Sequence, residues 1–338
     1  MPEVTPLRVR IKAAGAALLV LLLAACGSGD DADLTVYSGR SESLVGPVIQ
    51  QFEDASGLTV DVRYGSTAEM AAQILEEGQN SPADVFFGQD AGALGALSAA
   101  GLLADLPAGL LERVAATYRS PEDHWVGLSG RARVVVYNTD VLDEDDLPDT
   151  VAEFTDPAWQ GRIGWAPPNA SFQAFVTALR VLEGEEATAE WLEAMRDNGT
   201  QAYENNIAVV DAVAAGEIEA GLVNHYYLYP KLAEAPDLPA ANKFYGDGDP
   251  GALVNVAGAG ILATSENTEA ATEFVEYLLS EAGQQYFATE TWEFPLVKGM
   301  APPDGMPTLE SLDPPAIDLS ELEDLEGTLQ LLQETGVL

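Results

Sequence analysis

The sequence predicts an α/β fold, a parallel sheet with helices on both faces, and three observations predict it. Short β-rich runs alternate with helical patterns in the order βαβαβα over residues 34–101. Two long extended runs, 131–137 and 252–262, flank a second α/β stretch and are suited to carry the chain from one unit to another and back. The chain has 338 residues, of which 47 % are apolar, enough for two packed cores and too many for a disordered acidic tail.

Each element has a local reason. The run 34–37 (LTVY) is β-rich, and Ser41 can cap a helix whose Leu44, Val48, Ile49 and Phe52 share one face, with Gly57 just beyond its end. Residues 58–64 alternate as a strand. Residues 67–77 carry Met70, Ile74 and Leu75 at helical spacing and stop at Gly78. Residues 84–87 form a third strand, followed by an Ala/Leu-rich helix that ends at Gly101. In the second unit GRIGW (161–165) leads into a helix that starts near Asn169. A further helix is expected over 206–215 and a strand over 219–223. Helices follow at 268–280 and near 322–334, and the Pro-rich stretch 301–315 reads as a surface connector.

Composition excludes several functions. The formal net charge is −40, from 55 acidic and 15 basic side chains, which argues against any grip on nucleic acid through its phosphates. A single cysteine rules out an internal disulfide framework and a thiolate metal cage. Arg8, Arg10 and Lys12 precede an apolar run at 13–25, too short to span a bilayer, so residues 1–25 read as a secretory signal. Residues 26–33 (CGSGDDAD) then form a polar tether.

Ordinary catalysis finds little support, so the chain is read as a non-enzyme. There are two histidines, His124 and His225, and no G-x-S-x-G elbow. GDGDPG (246–251) fits G-x-G-x-x-G as text, but Pro250 and the extended run after it suit a tight turn rather than a phosphate loop. Asp247 and Asp249 lack the rest of an EF-hand pattern. Taken alone, His225 reads as a packed or surface imidazole.

The segment NHYY (224–227) follows the expected strand, and ending that strand lets Tyr226 and Tyr227 turn toward one point. Paired phenolates suit a hard, highly charged cation such as Fe(III), which can displace phenolic protons at neutral pH. An aromatic interface or sugar platform is the other reading of the same pair. Possible helix starts at Gly39–Ser41, 169–171 and 205–206 offer N–H groups that attract anions, although Ser and Asn are also ordinary caps. Arg131 and Arg133 lie on one extended run, and only one of them is expected to face a given cleft.

Seven segments stand out along the chain: LTVYSGR (34–40), SPADVFF (81–87), GLSGRARVVVYNTD (127–140), WQGRIGWAPPNASFQ (159–173), VNHYYLYP (223–230), GDPGALVNVAGAGIL (248–262) and EFPLVKG (293–299). Together they resemble the ferric-binding lipoproteins that feed bacterial ABC importers, over essentially the whole chain from Asp33. That resemblance implies a two-lobed type II periplasmic-binding-protein fold with two hinge-crossing strands and a central cleft. The lobes would be 33–132 with 258–338, and 133–257. It implies Fe(III) as cargo on Tyr226 and Tyr227, and carbonate or phosphate as a synergistic anion. Asn169, Ala170, Ser171, Asn206, Asn224 and Arg131 match anion contacts of relatives, and Arg40 and Ser41 stand at another candidate anion site. The sequence departs from relatives at Ser41, where some have a histidine, and at Gln89, beside Asp90, where some have a glutamate ligand. A third tyrosine near 169–171 is also missing. LAACG (23–27) resembles a lipobox, implying acylation of Cys26 and anchoring on the outer face of the cytoplasmic membrane. The expected partner is an importer permease, the expected state a monomer. The same fold holding an aminophosphonate or a thiamine-like solute is the rival reading.

Overall fold

A computed structural model of the protein describes residues 32–338. The signal sequence and Cys26 lie outside the described residues. None of the described helices is long and apolar enough to cross a membrane.

The first half alternates strand and helix, as its periodicity requires: β1 (Leu34–Ser38), α1 (Glu42–Ser56), β2 (Val60–Tyr64), α2 (Thr67–Glu77), β3 (Val85–Gly88) and α3 (Ala91–Ala99). Helix α1 buries Val45, Val48, Ile49 and Phe52 on one face and ends at Gly57 in the left-handed conformation (φ 78°), which costs a glycine nothing. Ser66 caps α2 and shares a reciprocal capping box with Glu69. After the short α4 (Ala108–Leu111) comes β4 (Val126–Asn138), thirteen residues that are all buried.

The chain continues through β5 (Ile163–Trp165), α5 (Ala170–Glu183), α6 (Glu185–Asp197), β6 (Gln201–Ala202), α7 (Asn206–Ala214) and β7 (Ala220–Asn224). The remaining elements are α8 (Tyr229–Glu234), β8 (Ala240–Lys243), β9 (Val254–Ile261), α9 (Thr268–Leu278), α10 (Glu281–Glu290), β10 (Phe294–Pro295), α11 (Leu309–Leu312) and α12 (Leu325–Glu334). The connector at 301–315 therefore contains a helical turn. GDGDPG is a turn, with Asp247 and Gly248 at positive φ and Asp249 accepting from the Gly251 N–H.

The strand order is β2-β1-β3-β9-β4-β7-β5-β6, with β8 and β10 also paired to β4. The expected parallel pairing holds for β1 with β2 and β3, and for β5 with β6 and β7. It fails for β9 and β4, which run antiparallel to their neighbours because they bring the chain across rather than wind another βαβ unit. β4 changes partners midway: residues up to Ala132 pair with β9, and residues from Arg133 pair with β7.

Cores form on both sides of this change. Phe52 of α1 meets Phe274 of α9 edge to face at 5.1 Å. Trp165, Phe172, Phe175 and Trp191 form an aromatic cluster that fixes α5 against β5 and α6. Helix α12 packs against α5, where Thr177 and Thr328 hydroxyls lie 2.7 Å apart and Arg180 pairs with Asp324. Residues 319–323, just before α12, lie directly on α3. This close approach requires glycine, since a Cβ at Gly92 would stand 2.3 Å from the Leu322 carbonyl oxygen, and one at Gly95 2.6 Å from that of Ser320. Gly95→Ala should therefore destabilise the protein by about 1–3 kcal/mol, read as a lower thermal midpoint, with no such change for Gly109→Ala, where a Cβ meets open space.

Candidate metal and anion site

Strand β7 ends at Asn224, and residues His225–Tyr227 turn as one round of 3-10 helix. The turn replaces the alternation of a strand, so the two phenols share a side, their ring centroids 4.3 Å apart and tilted by 30°. His225 is wholly buried and locks this turn. Its Nε2 lies 2.8 Å from the Trp292 carbonyl, and its Nδ1 3.1 Å from the Ala132 N–H. Burial pushes the imidazole down to about 4, against hydrogen bonds to the Trp292 and Ala132 carbonyls, so it is neutral at pH 7. It is a packed imidazole.

Burial raises the Tyr226 phenol above its ordinary value. Neighbouring Tyr227 adds to the shift and the Arg131 guanidinium opposes it. Tyr226 is thus a poor acid until a strongly polarising cation arrives. Among the described residues, no group of three or more His, Cys, Asp and Glu side chains could hold a metal. The phenols are accordingly the candidate anchors.

A small cavity of about 20 Å³, close to the room one or two waters take, is bounded by Gln89, Asp90, Arg131, Arg133, Ala170, Ser171, Ala174, Asn224, Leu253 and Asn255. Six predicted residues meet there: Gln89, Asp90, Arg131, Ala170, Ser171 and Asn224. Tyr226 and Tyr227 are not among the residues that bound this cavity, but both lie within electrostatic reach of Arg133, and Tyr226 also of Arg131. Gln89 and Asp90 come from the β3–α3 junction, where Asp90 caps α3 through the Ala93 N–H. Burial raises the Asp90 carboxyl, against the Ala93 N–H and the Arg131 charge.

Several expected anion contacts are placed elsewhere. Asn169 caps α5: its Oδ1 accepts from the Ser171 N–H at 2.9 Å and the Ser171 hydroxyl at 2.7 Å. Asn206 is fully buried behind that cap and donates its amide to Asn169 Oδ1 and Ser171 Oγ, both at 3.0 Å. Neither side chain bounds the cavity; both hold Ser171, which does. Ser41 is exposed at the head of α1, 3.3 Å from the Ser43 hydroxyl. Arg40 is 1 % exposed and bound through Nη2 to Glu293 at 2.8 Å, so it lies outside the cavity wall. Ser129 donates to the other Glu293 oxygen.

One sequence inference is overturned. Arg131 and Arg133 both bound the cavity. Residues i and i+2 of a strand point to the same face, so the spacing puts the two together rather than apart. The same parity, read correctly, would have found Arg133 in the sequence. Asn255, opposite Arg131 in the β4–β9 register, and Glu293 were missed as well, because partners more than a hundred residues away leave no local signal.

Residues 80–318 match the family described as bacterial extracellular solute-binding protein. The chain belongs to this family. It is 33 % identical over 340 residues to the Fe(3+)-binding periplasmic protein of Serratia marcescens, covering 98 % of this chain and all of that one. It is 36 % identical over 310 residues to the major ferric iron-binding protein of Neisseria meningitidis serogroup B, covering 90 % of this chain and 93 % of the relative. Its structure superposes on iron-bound HitA from Pseudomonas aeruginosa with a TM-score of 0.82 at 35 % identity, covering 90 % of this chain and 99 % of that one. The fold of this solute-binding protein is accordingly the two-lobed α/β architecture of the ferric-binding proteins.

Burial opposes ionisation of Glu293, yet Arg40 and Arg131, with hydrogen bonds from Arg40 and Ser129, hold its carboxyl below the usual 4.5. A carboxylate depressed on folding adds stability that is present above its unfolded pKa and lost as pH falls through its folded one. Glu293→Ala, which strands a buried guanidinium, should cost about 3–5 kcal/mol at pH 7. In chemical unfolding, the advantage of wild type over Glu293→Gln should shrink as pH is lowered below the glutamate range.

Proposed function

We propose that this solute-binding protein captures Fe(III) outside the cytoplasm and hands it to an ABC-importer permease. Tyr226 and Tyr227 are the protein ligands, and a small anion completes the shell against Arg131, Ser171 and the head of α5. The observation that carries this reading is the pair of phenols on one 3-10 turn within electrostatic reach of Arg133, one of two buried guanidinium groups that bound the cavity. Two phenolates leave Fe(III) with one positive charge, and an oxyanion both offsets it and fills open positions. Gln89 is neutral and cannot supply the charge of a carboxylate ligand, which makes the anion more necessary. The names of the Serratia and Neisseria relatives support iron as the cargo.

In this proposal, residues 33–132 with 258–338 form one lobe and 133–257 the other, and iron draws them together about β4 and the entry to β9. The protein works as a monomer tethered by a lipid on Cys26.

A visible spectrum taken with ferric citrate tests the cargo, because Fe(III)–phenolate bonds are coloured. Tyr226→Phe and Tyr227→Phe should each bleach or strongly shift that band, and the double variant should lose it. A double variant with wild-type colour and affinity would remove the ligand assignment. A wild type that ignores iron and binds a small organic solute would install the rival cargo.

Anchoring has its own test. Cys26→Ser should release the protein from the membrane fraction or leave it unprocessed, since one thiol carries the lipid. A mature Cys26→Ser protein that still fractionates with membranes would exclude the lipid anchor.

A further inference from the structure

On its edge away from β9, β4 pairs with β10 at Ser129 and Gly130 and with β7 from Arg133 onward. Ala132 lies in the gap between these two partners. The β4–β7 register, with Arg133 opposite Asn224, would bring His225 opposite Ala132 if the strand went on. The chain instead turns into the 3-10 round that carries the two phenols. The His225 side chain takes over the missing backbone contact, and the Ala132 N–H donates to its Nδ1 at 3.1 Å. A ring nitrogen that accepts carries no hydrogen. The ring hydrogen is therefore on Nε2, which donates to the Trp292 carbonyl at 2.8 Å. Trp292 stands two residues before β10 at φ 57°, a left-handed backbone that a bulky residue keeps only where its surroundings over-determine it. Two contacts do so: the His225 bond, and a stack of its ring on Tyr229 at 5.4 Å and 10°. Phe294 closes the cluster, its ring centroid 4.8 Å from that of the imidazole.

We infer that His225 is a positioning residue for the metal site, an imidazole pin that splices β7 to β10 across the break in the sheet and fastens the tyrosine turn to the hinge. The inference rests on the ferric reading above and deepens it. In the lobes proposed there, Ala132 ends the first lobe's share of β4, Trp292 belongs to the first lobe and His225 to the second. The pin thus spans the lobe boundary next to Tyr226. Apart from the pin, the turn is held by its flanking elements and by the Asn242 amide, which donates to the His225 carbonyl at 2.9 Å. Phenols on adjacent residues bind one ion well when both oxygens are already aimed at it, because reorganisation on binding subtracts from affinity. The role needs specific atoms, an acceptor at Nδ1 and a donor at Nε2 on opposite sides of one flat ring. A ring of similar shape without them fills the same space and bonds neither segment, leaving the N–H of buried Ala132 without its partner.

The test reads ferric affinity by chelator competition together with the visible phenolate band, in wild type and three variants of His225. His225→Phe keeps the ring packing and loses both polar atoms. Its folded protein should bind iron about 10–100-fold more weakly, the usual cost of losing a group that orients metal ligands, with the band shifted or broadened. His225→Asn keeps an acceptor near the Nδ1 position, and His225→Gln keeps a donor near the Nε2 position. Each should recover part of the affinity and move the band back toward wild type. If His225→Phe fails to fold, the two amide variants decide, because each retains one half of the pin and must fall short of wild type in both readouts. A residue needed for packing alone would lower the thermal midpoint of the variants and leave band and affinity unchanged. Wild-type band and affinity in folded His225→Phe, or in both amide variants, therefore overturn the inference and leave the ferric reading standing. A wild type that takes up no ferric iron overturns both.

Discussion

The burial of two guanidinium groups on one face of β4 is the constraint to which the rest of the cleft answers. A cation taken from water into a protein interior loses several kcal/mol of hydration, which only partners can restore. Arg40 recovers part of that loss from Glu293, whose other oxygen accepts from Ser129, and keeps Nε and Nη1 unpaired. Arg131 and Arg133 have Asn224, the Phe175 ring and the more distant Asp90 carboxyl, and keep open donors. The fold holds that unfavourable arrangement because β4 is buried along its whole length and paired on both edges.

The charge of the molecule as a whole points the opposite way. A chain at −40 repels anions in bulk, yet the cleft is locally cationic. Local charge wins because buried groups are little screened, while surface carboxylates lie in water and within reach of salt. The phenols sit on the boundary of this field. Burial opposes ionisation of the Tyr226 phenol, and Arg131 favours it.

Positioning is done by side chains that never reach the cavity. Asn206 fixes the Asn169 cap, and the cap presents Ser171. His225 ties the tyrosine turn to β4 at Ala132 and to Trp292, itself held in left-handed backbone at φ 57°. Residues 319–323 and α12 join α3, which begins at Asp90, to α5, which begins beside Ser171, so both rims of the cavity share a support. Rims held this way can present a few polar atoms with little reorganisation on binding.

The alternation of β1 to α3, the caps at Asn169 and Gly57 and the turn at 246–251 were legible in the sequence because periodicity, capping and turn chemistry act within a few residues. So was the adjacency of Tyr226 and Tyr227, which needs only the end of a strand. Tertiary structure alone decided that β9 and β4 run antiparallel between the two parallel groups, that Arg40 is spent on Glu293, and that Asn206 stands behind Ser171 rather than beside it. Each depends on which distant segment arrives opposite, and side-chain pairing across 35 to 253 residues has no local signature. Arg133 belongs to neither class: its face was fixed by the two-residue period of a strand, and its open donor by packing around Asn224 and Phe175 that only the folded chain assembles.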